Sequence, residues 1–213
     1  MPVHTVAQGE CVSSIADKEG FFWESIWQHE RNKSIRQKRK NPNALQPGDQ
    51  LFIPDIRKRE ESCSTAQRHR FQLKGVPVRF NLQVLNEQGE PRAGVPFVLD
   101  IDGKVTRGEI PADGNLSEII KPNAKLAKLT LNPPDGIKET YELQLGFMNP
   151  VDDIAGAKGR LKNLGYYKGA ITASMDEETA EAIRQFQERT GLPITGEIDG
   201  PTQAALEQNH GGG

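Results

Sequence analysis

Ile171-Thr172-Ala173-Ser174-Met175-Asp176-Glu177-Glu178-Thr179-Ala180-Glu181-Ala182-Ile183 is repeated in pattern 23 residues later as Ile194-Thr195-Gly196-Glu197-Ile198-Asp199-Gly200-Pro201-Thr202-Gln203-Ala204-Ala205-Leu206. Ile171, Thr172, Asp176, Thr179 and Ala182 recur as Ile194, Thr195, Asp199, Thr202 and Ala205, while Met175 and Ile183 are matched by Ile198 and Leu206. Each copy spells a turn, a capping aspartate and a helix. Asp176 is placed to cap a helix that runs through Phe186 and stops near Gly191, and Pro201 occupies the first turn of the next, where its missing N–H costs nothing. Ile183 and Phe186 fall on one face, as a small three-helix core requires.

Working back along the chain, the period changes from helical to two. Val78, Phe80, Leu82 and Val84 alternate, as do Val95, Phe97, Leu99 and Ile101; Leu129 with Leu131 and Leu143 with Leu145 continue the pattern. Asp102-Gly103, Asp113-Gly114-Asn115 and Pro133-Pro134-Asp135-Gly136 supply turns between them. About seven short strands at this spacing predict an antiparallel β-sandwich over residues 71–148. The preceding residues, 57–70, are highly charged and almost free of apolar side chains, which reads as a linker.

Residues 1–56 change pattern again. A strand (Val3, Thr5, Val6) leads into Ser13-Ser14-Ile15-Ala16, whose serines can cap a helix ending at Gly20, and Phe22, Ile26 and His29 recur at helical spacing after it. Pro47-Gly48-Asp49 is turn chemistry, and the strand Gln50-Leu51-Phe52-Ile53 is stopped by Pro54. The expected order is strand, helix, helix, strand. The chain is therefore predicted to be multidomain and mixed α+β: a small βααβ domain over 1–56, a linker over 57–70, a β-sandwich over 71–148, and a three-helix domain over 149–213.

A hydrophobic content of 35% with 6% aromatics suits several small cores better than one large one. The net charge of -2 conceals a gradient, because Lys and Arg outnumber Asp and Glu over residues 1–75 while the reverse holds over 149–213. Arg31-Asn32-Lys33-Ser34-Ile35-Arg36-Gln37-Lys38-Arg39-Lys40 concentrates the positive charge. With no aromatic residue interleaved for base stacking, the run reads as a solvated basic helix face or a contact for an acidic protein, not as a nucleic-acid site. Cys11 and Cys63 show no C-x-x-C pairing and read as two reduced thiols, or as a disulfide in an oxidising space.

His4, His29, His69 and His210 lack metal-ligand spacing, and no cofactor is implied. The acidic pairs Glu60-Glu61 and Asp152-Asp153 are explained by solvation and by a helix start. No nucleophile elbow or phosphate loop occurs, so a non-enzyme is expected. No apolar run reaches the roughly 18 residues that cross a bilayer, and no stretch has the pattern of a secretory leader. The expectation is synthesis in the cytosol, with delivery to a periplasm or outside by a secretion apparatus as a further step.

Gly159-Arg160-Leu161-Lys162-Asn163-Leu164-Gly165-Tyr166-Tyr167, the following Ala182-Ile183-Arg184-Gln185-Phe186-Gln187 and the Gly191-to-Leu206 ending resemble the three-helix peptidoglycan-binding domain appended to wall hydrolases. That resemblance makes Tyr166 and Tyr167 candidates for stacking on sugar, against the alternative that they are core residues. The usual Asp-Gly turn after the tyrosines is replaced by Ile171-Thr172-Ala173-Ser174.

His4-Thr5-Val6-Ala7-Gln8-Gly9-Glu10 together with Asn41-Pro42-Asn43-Ala44-Leu45-Gln46-Pro47-Gly48-Asp49-Gln50-Leu51-Phe52-Ile53-Pro54 is similar to a LysM domain, a module that binds N-acetylglucosamine polymers. The resemblance implies a sugar groove between two loops, here Gln8, Gly9, Glu10 and Cys11 on one side and Asn41, Pro42, Asn43, Ala44 and Leu45 on the other. Amides there would bond acetamido groups, and Leu45 with the prolines would give an apolar floor. The basic run before Asn41 is longer than that family's pattern.

The middle segment, with Gly89-Glu90-Pro91-Arg92-Ala93-Gly94-Val95-Pro96-Phe97, resembles transthyretin-like and Ig-like sandwiches. The junction Leu143-Gln144-Leu145-Gly146-Phe147-Met148-Asn149-Pro150-Val151-Asp152 resembles the tails of spike-associated proteins of type VI secretion. Together these resemblances imply a non-catalytic protein that binds peptidoglycan or another N-acetylglucosamine polymer in connection with a secretion apparatus. Alternatives are an adaptor, chaperone or cargo of a contractile injection system whose modules bind protein, and an accessory to a wall hydrolase.

Overall fold

The computed structural model describes residues 3–56, 62, 64–68, 78–134 and 136–210. Phe71, where the alternating pattern begins, Cys63, His69 and most of the charged linker lie outside the described residues. Among the described residues the architecture is mixed α+β, with six α-helices and antiparallel sheets, and most buried apolar side chains fall into three clusters.

In the front segment, β1 (Val3–Thr5) pairs antiparallel with β2 (Gln50–Phe52). Between them run α1 (Val12–Glu19), α2 (Trp23–Trp27), a 3-10 turn (Glu30–Asn32) and α3 (Lys33–Arg39). Cys11, not a serine, is the N-cap of α1. Ser14 reaches back instead, its hydroxyl accepting from the Cys11 N–H at 3.0 Å. The helical stretch through Phe22, Ile26 and His29 stops short at Trp27, and the basic run, read as a solvated helix face, folds into a third helix that is added to the expected strand, helix, helix, strand order. Two of its residues hold the fold. Asn32, 1% exposed, donates to the carbonyls of Ile26 and Phe52 and accepts from the Phe52 N–H, so one amide side chain completes the open edge of β2. Arg39 grips the buried Asp49 through Nε at 2.7 Å and Nη2 at 2.9 Å. Burial works against the Asp49 charge, yet Arg39 and the Gln46 N–H outweigh it and hold the carboxyl below its usual range.

The middle segment has six strands among the described residues, against about seven expected. β3 (Val78–Gln83) pairs with β6 (Asn115–Ile120) in one sheet. β4 (Pro96–Ile101), β5 (Lys104–Glu109), β7 (Leu126–Leu131) and β8 (Glu139–Gln144) form another, in the order β5-β4-β7-β8. Phe97, Leu99 and Ile101 alternate inward and meet Leu129, Leu131 and Leu143. The β4–β5 hairpin turns on Asp102 and Gly103, both at positive φ (47° and 89°), the conformation that lets a two-residue turn follow the strand twist.

The third segment holds α4 (Ile154–Asn163), α5 (Glu177–Thr190) and α6 (Gly200–His210). Asp153, Asp176 and Asp199 cap them by accepting from the N–H groups of Ala155, Thr179 and Thr202. The repeated loops are pinned from beneath by the preceding helix. Lys158, fully buried, reaches Thr172 at 3.0 Å and Asp176 at 2.8 Å, while Gln187, equally buried, donates to Thr195 and Thr202 and accepts from the N–H groups of Thr195 and Gly196. Burial disfavours the Lys158 charge, but its hydrogen bonds raise its pKa, and Lys158 in turn holds Asp176 at about 2.

One amide joins the third segment to the sheet. Asn163 Oδ1 accepts from the Gln144 N–H at 2.7 Å and its Nδ2 donates to the Gln144 carbonyl at 2.9 Å, so it pairs with the end of β8 as a strand would. The same Nδ2 lies 2.9 Å from His210 Nε2, which can accept only when unprotonated. Burial, helped by Arg160, lowers the His210 pKa from 6.5 to about 4.

Between those values the unfolded chain binds a proton that the folded chain does not, so this contribution to stability is complete above about pH 6.5 and is lost as pH falls toward about 4. Stability measured by urea denaturation with circular dichroism should fall by roughly 2 kcal/mol between about pH 7.5 and 5. His210→Gln should flatten that slope; an unchanged slope would remove His210 as its source.

Candidate glycan-binding clefts at the module junction

The chain leaving β8 runs Gly146-Phe147-Met148-Asn149-Pro150 before α4, and this strap touches all three segments. Toward α4 it passes so close that a Cβ on Gly156 would lie 1.9 Å from the Pro150 carbonyl oxygen and 2.5 Å from that of Asn149. Only glycine fits beneath it. Arg160, nearly buried, fastens the crossing by donating to the carbonyls of Asn149 at 2.8 Å and Gly156 at 2.9 Å. Burial lowers the Arg160 pKa, opposed by Glu207 and Asp152.

Toward the front segment, the Met148 N–H donates to the Asn43 carbonyl at 3.0 Å, and Phe147 packs on Gly9. A Cβ at Gly9 would stand 3.3 Å from Phe147 Cε1, and Gly9 has φ of 91°, so glycine is required there twice over. Phe147 and Met148 thereby bridge the two loops to which the LysM resemblance assigns sugar. Both loops are stiff. Glu10 accepts from the Ala7 N–H at 3.0 Å and lies 2.6 Å from His4 Nε2. Burial would raise the Glu10 pKa, but these partners lower it on balance. Asn41 Oδ1 accepts from the Asn43 N–H at 2.7 Å, and the Pro42 carbonyl accepts from the Val12 N–H in the first turn of α1.

Two clefts open on either side of Phe147. The larger, of about 510 Å3, lies between the loop 7–11 with α1 and the β6–β7 turn that includes Asn123 and Lys125. The smaller, of about 220 Å3, lies between Gln8, the end of β8 and α4, with Gly159 and Ile171 in its wall. Gln8 and Phe147 line both. The larger cleft brings together Gln8, Gly9, Glu10 and Cys11, the last a buried free thiol. Asn41, Pro42, Asn43, Ala44 and Leu45 line neither cleft; Pro42, Ala44 and Leu45 are buried.

Tyr166 and Tyr167 also stand apart from both clefts. Tyr167 is 3% exposed, its hydroxyl donates to the Ala170 carbonyl, and Lys158 Nζ lies 5.2 Å from its ring centroid. Tyr166 is half-buried with its ring edge-on to Phe186 at 5.6 Å. Burial raises its pKa, with Arg189 opposing. Phe147, Asn123 and Lys125 were not anticipated as site residues. The available signal was an aromatic immediately after Gly146 that continues neither the strand pattern nor the helical one.

Among the described residues no cluster of His, Cys, Asp and Glu could hold a metal ion, and no helix is long and apolar enough to cross a membrane. Residues 150–206 match the family described as "Putative peptidoglycan binding domain". That family is a binding domain, and its match runs from the end of the strap into α6. No curated protein and no solved structure matches the chain.

Gly9→Val should cost about 1–3 kcal/mol, because it strains a positive-φ position and forces Phe147 aside. Urea unfolding followed by the emission of Trp23 and Trp27, which both pack in the front cluster, checks this. An unperturbed midpoint would mean that the strap does not support the loop.

Proposed function

We propose that the protein holds bacterial wall glycan without cleaving it, using the third segment as primary anchor and the front segment as a LysM-like second contact. The observation that carries this reading is the match of residues 150–206 to a peptidoglycan-binding family. The front segment supports it through its element order of strand, helices, strand and through the seating of its first loop on an open cleft. Two weak contacts on one chain raise the effective concentration of each for the same polymer, so modest affinity per segment suffices. The site residues proposed for the front contact are Gln8, Gly9, Glu10 and Cys11.

A second reading is favoured by α3, where Lys33 and Lys38 are exposed while Arg36 and Arg39 are held by the Trp27 carbonyl and by Asp49. Such a face suits an acidic protein, and it agrees with an adaptor or cargo role in a type VI-like apparatus that carries the protein from the cytosol to the wall.

Purified sacculi should pellet the full-length protein at low and at high salt, since contacts to a neutral glycan are weakly screened. Protein that stays wholly in the supernatant would sink the wall-binding reading. Lys33→Glu with Lys38→Glu should leave pelleting unchanged while abolishing co-purification of any secretion component.

A further inference from the structure

We propose that the two clefts beside Phe147 form one track for a linear, uncharged N-acetylamino-sugar polymer, read jointly by all three segments. The inference rests on the wall-binding reading and gives it a location that the family match does not. Three observations carry it.

The first is continuity. Gln8 and Phe147 line both clefts, so the two open beside one ring, and a chain long enough to pass over that ring would touch both. The second is size. Sites for independent small ligands measure roughly 300–1,000 Å3. The larger cleft, at about 510 Å3, falls within that range and the smaller, at about 220 Å3, falls below it. The smaller one therefore makes sense as the continuation of a polymer held in the larger. Its far wall includes Gly159 and Ile171, inside the stretch that matches the peptidoglycan-binding family.

The third is chemistry. The larger cleft sets Glu10 and Asp17 against Lys18 and Lys125, so its formal charges cancel. Glu10 is already engaged by His4 and the Ala7 N–H. A polyanion would gain nothing from such a wall, whereas hydroxyl and acetamido groups can use the amides of Gln8 and Asn123. Phe147 supplies the flat apolar surface against which one face of a sugar ring can be desolvated. Gln8, Asn123 and Lys125 are exposed and make no part of the three apolar cores, so they can be changed without unfolding the chain.

The test uses isotopically labelled full-length protein and an uncharged tetrasaccharide of N-acetylglucosamine. Saturable amide shifts are expected at Gln8, Gly9, Asn123 and Lys125, together with shifts of the Phe147 ring. Gln8→Ala with Asn123→Ala should weaken tetrasaccharide binding at least tenfold with thermal midpoint and tryptophan emission unchanged. Phe147→Leu, which keeps the junction apolar but removes the ring, should weaken it as well.

If wild-type protein pellets with sacculi but tetrasaccharide shifts are confined to residues 150–206, the track is refuted and the wall-binding reading stands. Shifts in the clefts from a free peptidoglycan stem peptide, with the tetrasaccharide silent, would also refute it, by identifying a peptide site. Failure to bind either sacculi or tetrasaccharide would remove both the track and the reading beneath it.

Discussion

The crossing of the Asn149–Pro150 backbone over Gly156 is the constraint on which the arrangement of the three segments depends. Any side chain at Gly156 would occupy the space of the strap carbonyls, and Arg160 completes the contact by donating to the carbonyls on both sides of it. With Asn149 fixed on α4, Met148 and Phe147 are presented to Asn43 and Gly9, so the front segment is held against the strap by one backbone hydrogen bond and one ring. Asn163 ties the other end of the same connection by pairing with Gln144. The strap is thus anchored before and after Phe147, which fixes the ring between the two clefts.

The buried polar groups of the third segment do for its loops what the strap does for the segments. Lys158 and Gln187 occupy comparable places beneath successive repeats, yet they differ in chemistry. Lys158 takes a charge into the core and meets Asp176, whose side chain is 46% exposed, whereas Gln187 satisfies several backbone and hydroxyl groups without any charge. Among the described residues no buried side-chain nitrogen or oxygen lacks a partner, which is the condition under which such groups specify a conformation at modest cost. The replacement of the usual Asp-Gly turn by Ile171-Thr172-Ala173-Ser174 is absorbed here, since Thr172 becomes the hydroxyl that Lys158 holds.

Local chemistry was legible in the sequence wherever one residue type answers one local demand. Asp176 and Asp199 cap helices, Gly191 ends α5 in the left-handed region, Asp102-Gly103 turns a hairpin, and Phe97, Leu99 and Ile101 alternate into a core. Features that depend on distant partners were not legible. Asn32 and Arg39 sat inside what looked like a solvated basic run, because nothing local reveals that their partners are Phe52 and Asp49. The first-loop half of the candidate site was visible in Gln8 to Cys11, but Asn123, Lys125 and Phe147 reach it only through the packing of the sandwich against the front segment. The tyrosines illustrate the reverse. The sequence left them open between sugar stacking, which the resemblance implied, and a core, and packing puts Tyr167 in a core with Lys158 on its ring.

The same rigidity bears on how a polymer could gain from three segments at once. Two binding modules on a free linker benefit only from effective concentration, and each must still order its own loops when ligand arrives. Here loop 7–10 is already fixed by Glu10 with His4 and Ala7, loop 41–45 by Asn41 and the Pro42–Val12 bond, and their relation to α4 by the strap. A polymer lying along Phe147 would therefore meet walls whose ordering cost was met on folding, and the loss of conformational freedom on binding would fall chiefly on the polymer. That makes the inter-segment contacts part of any affinity, so a substitution such as one at Gly156, which itself lines neither cleft, would act on binding by loosening the frame that sets their width.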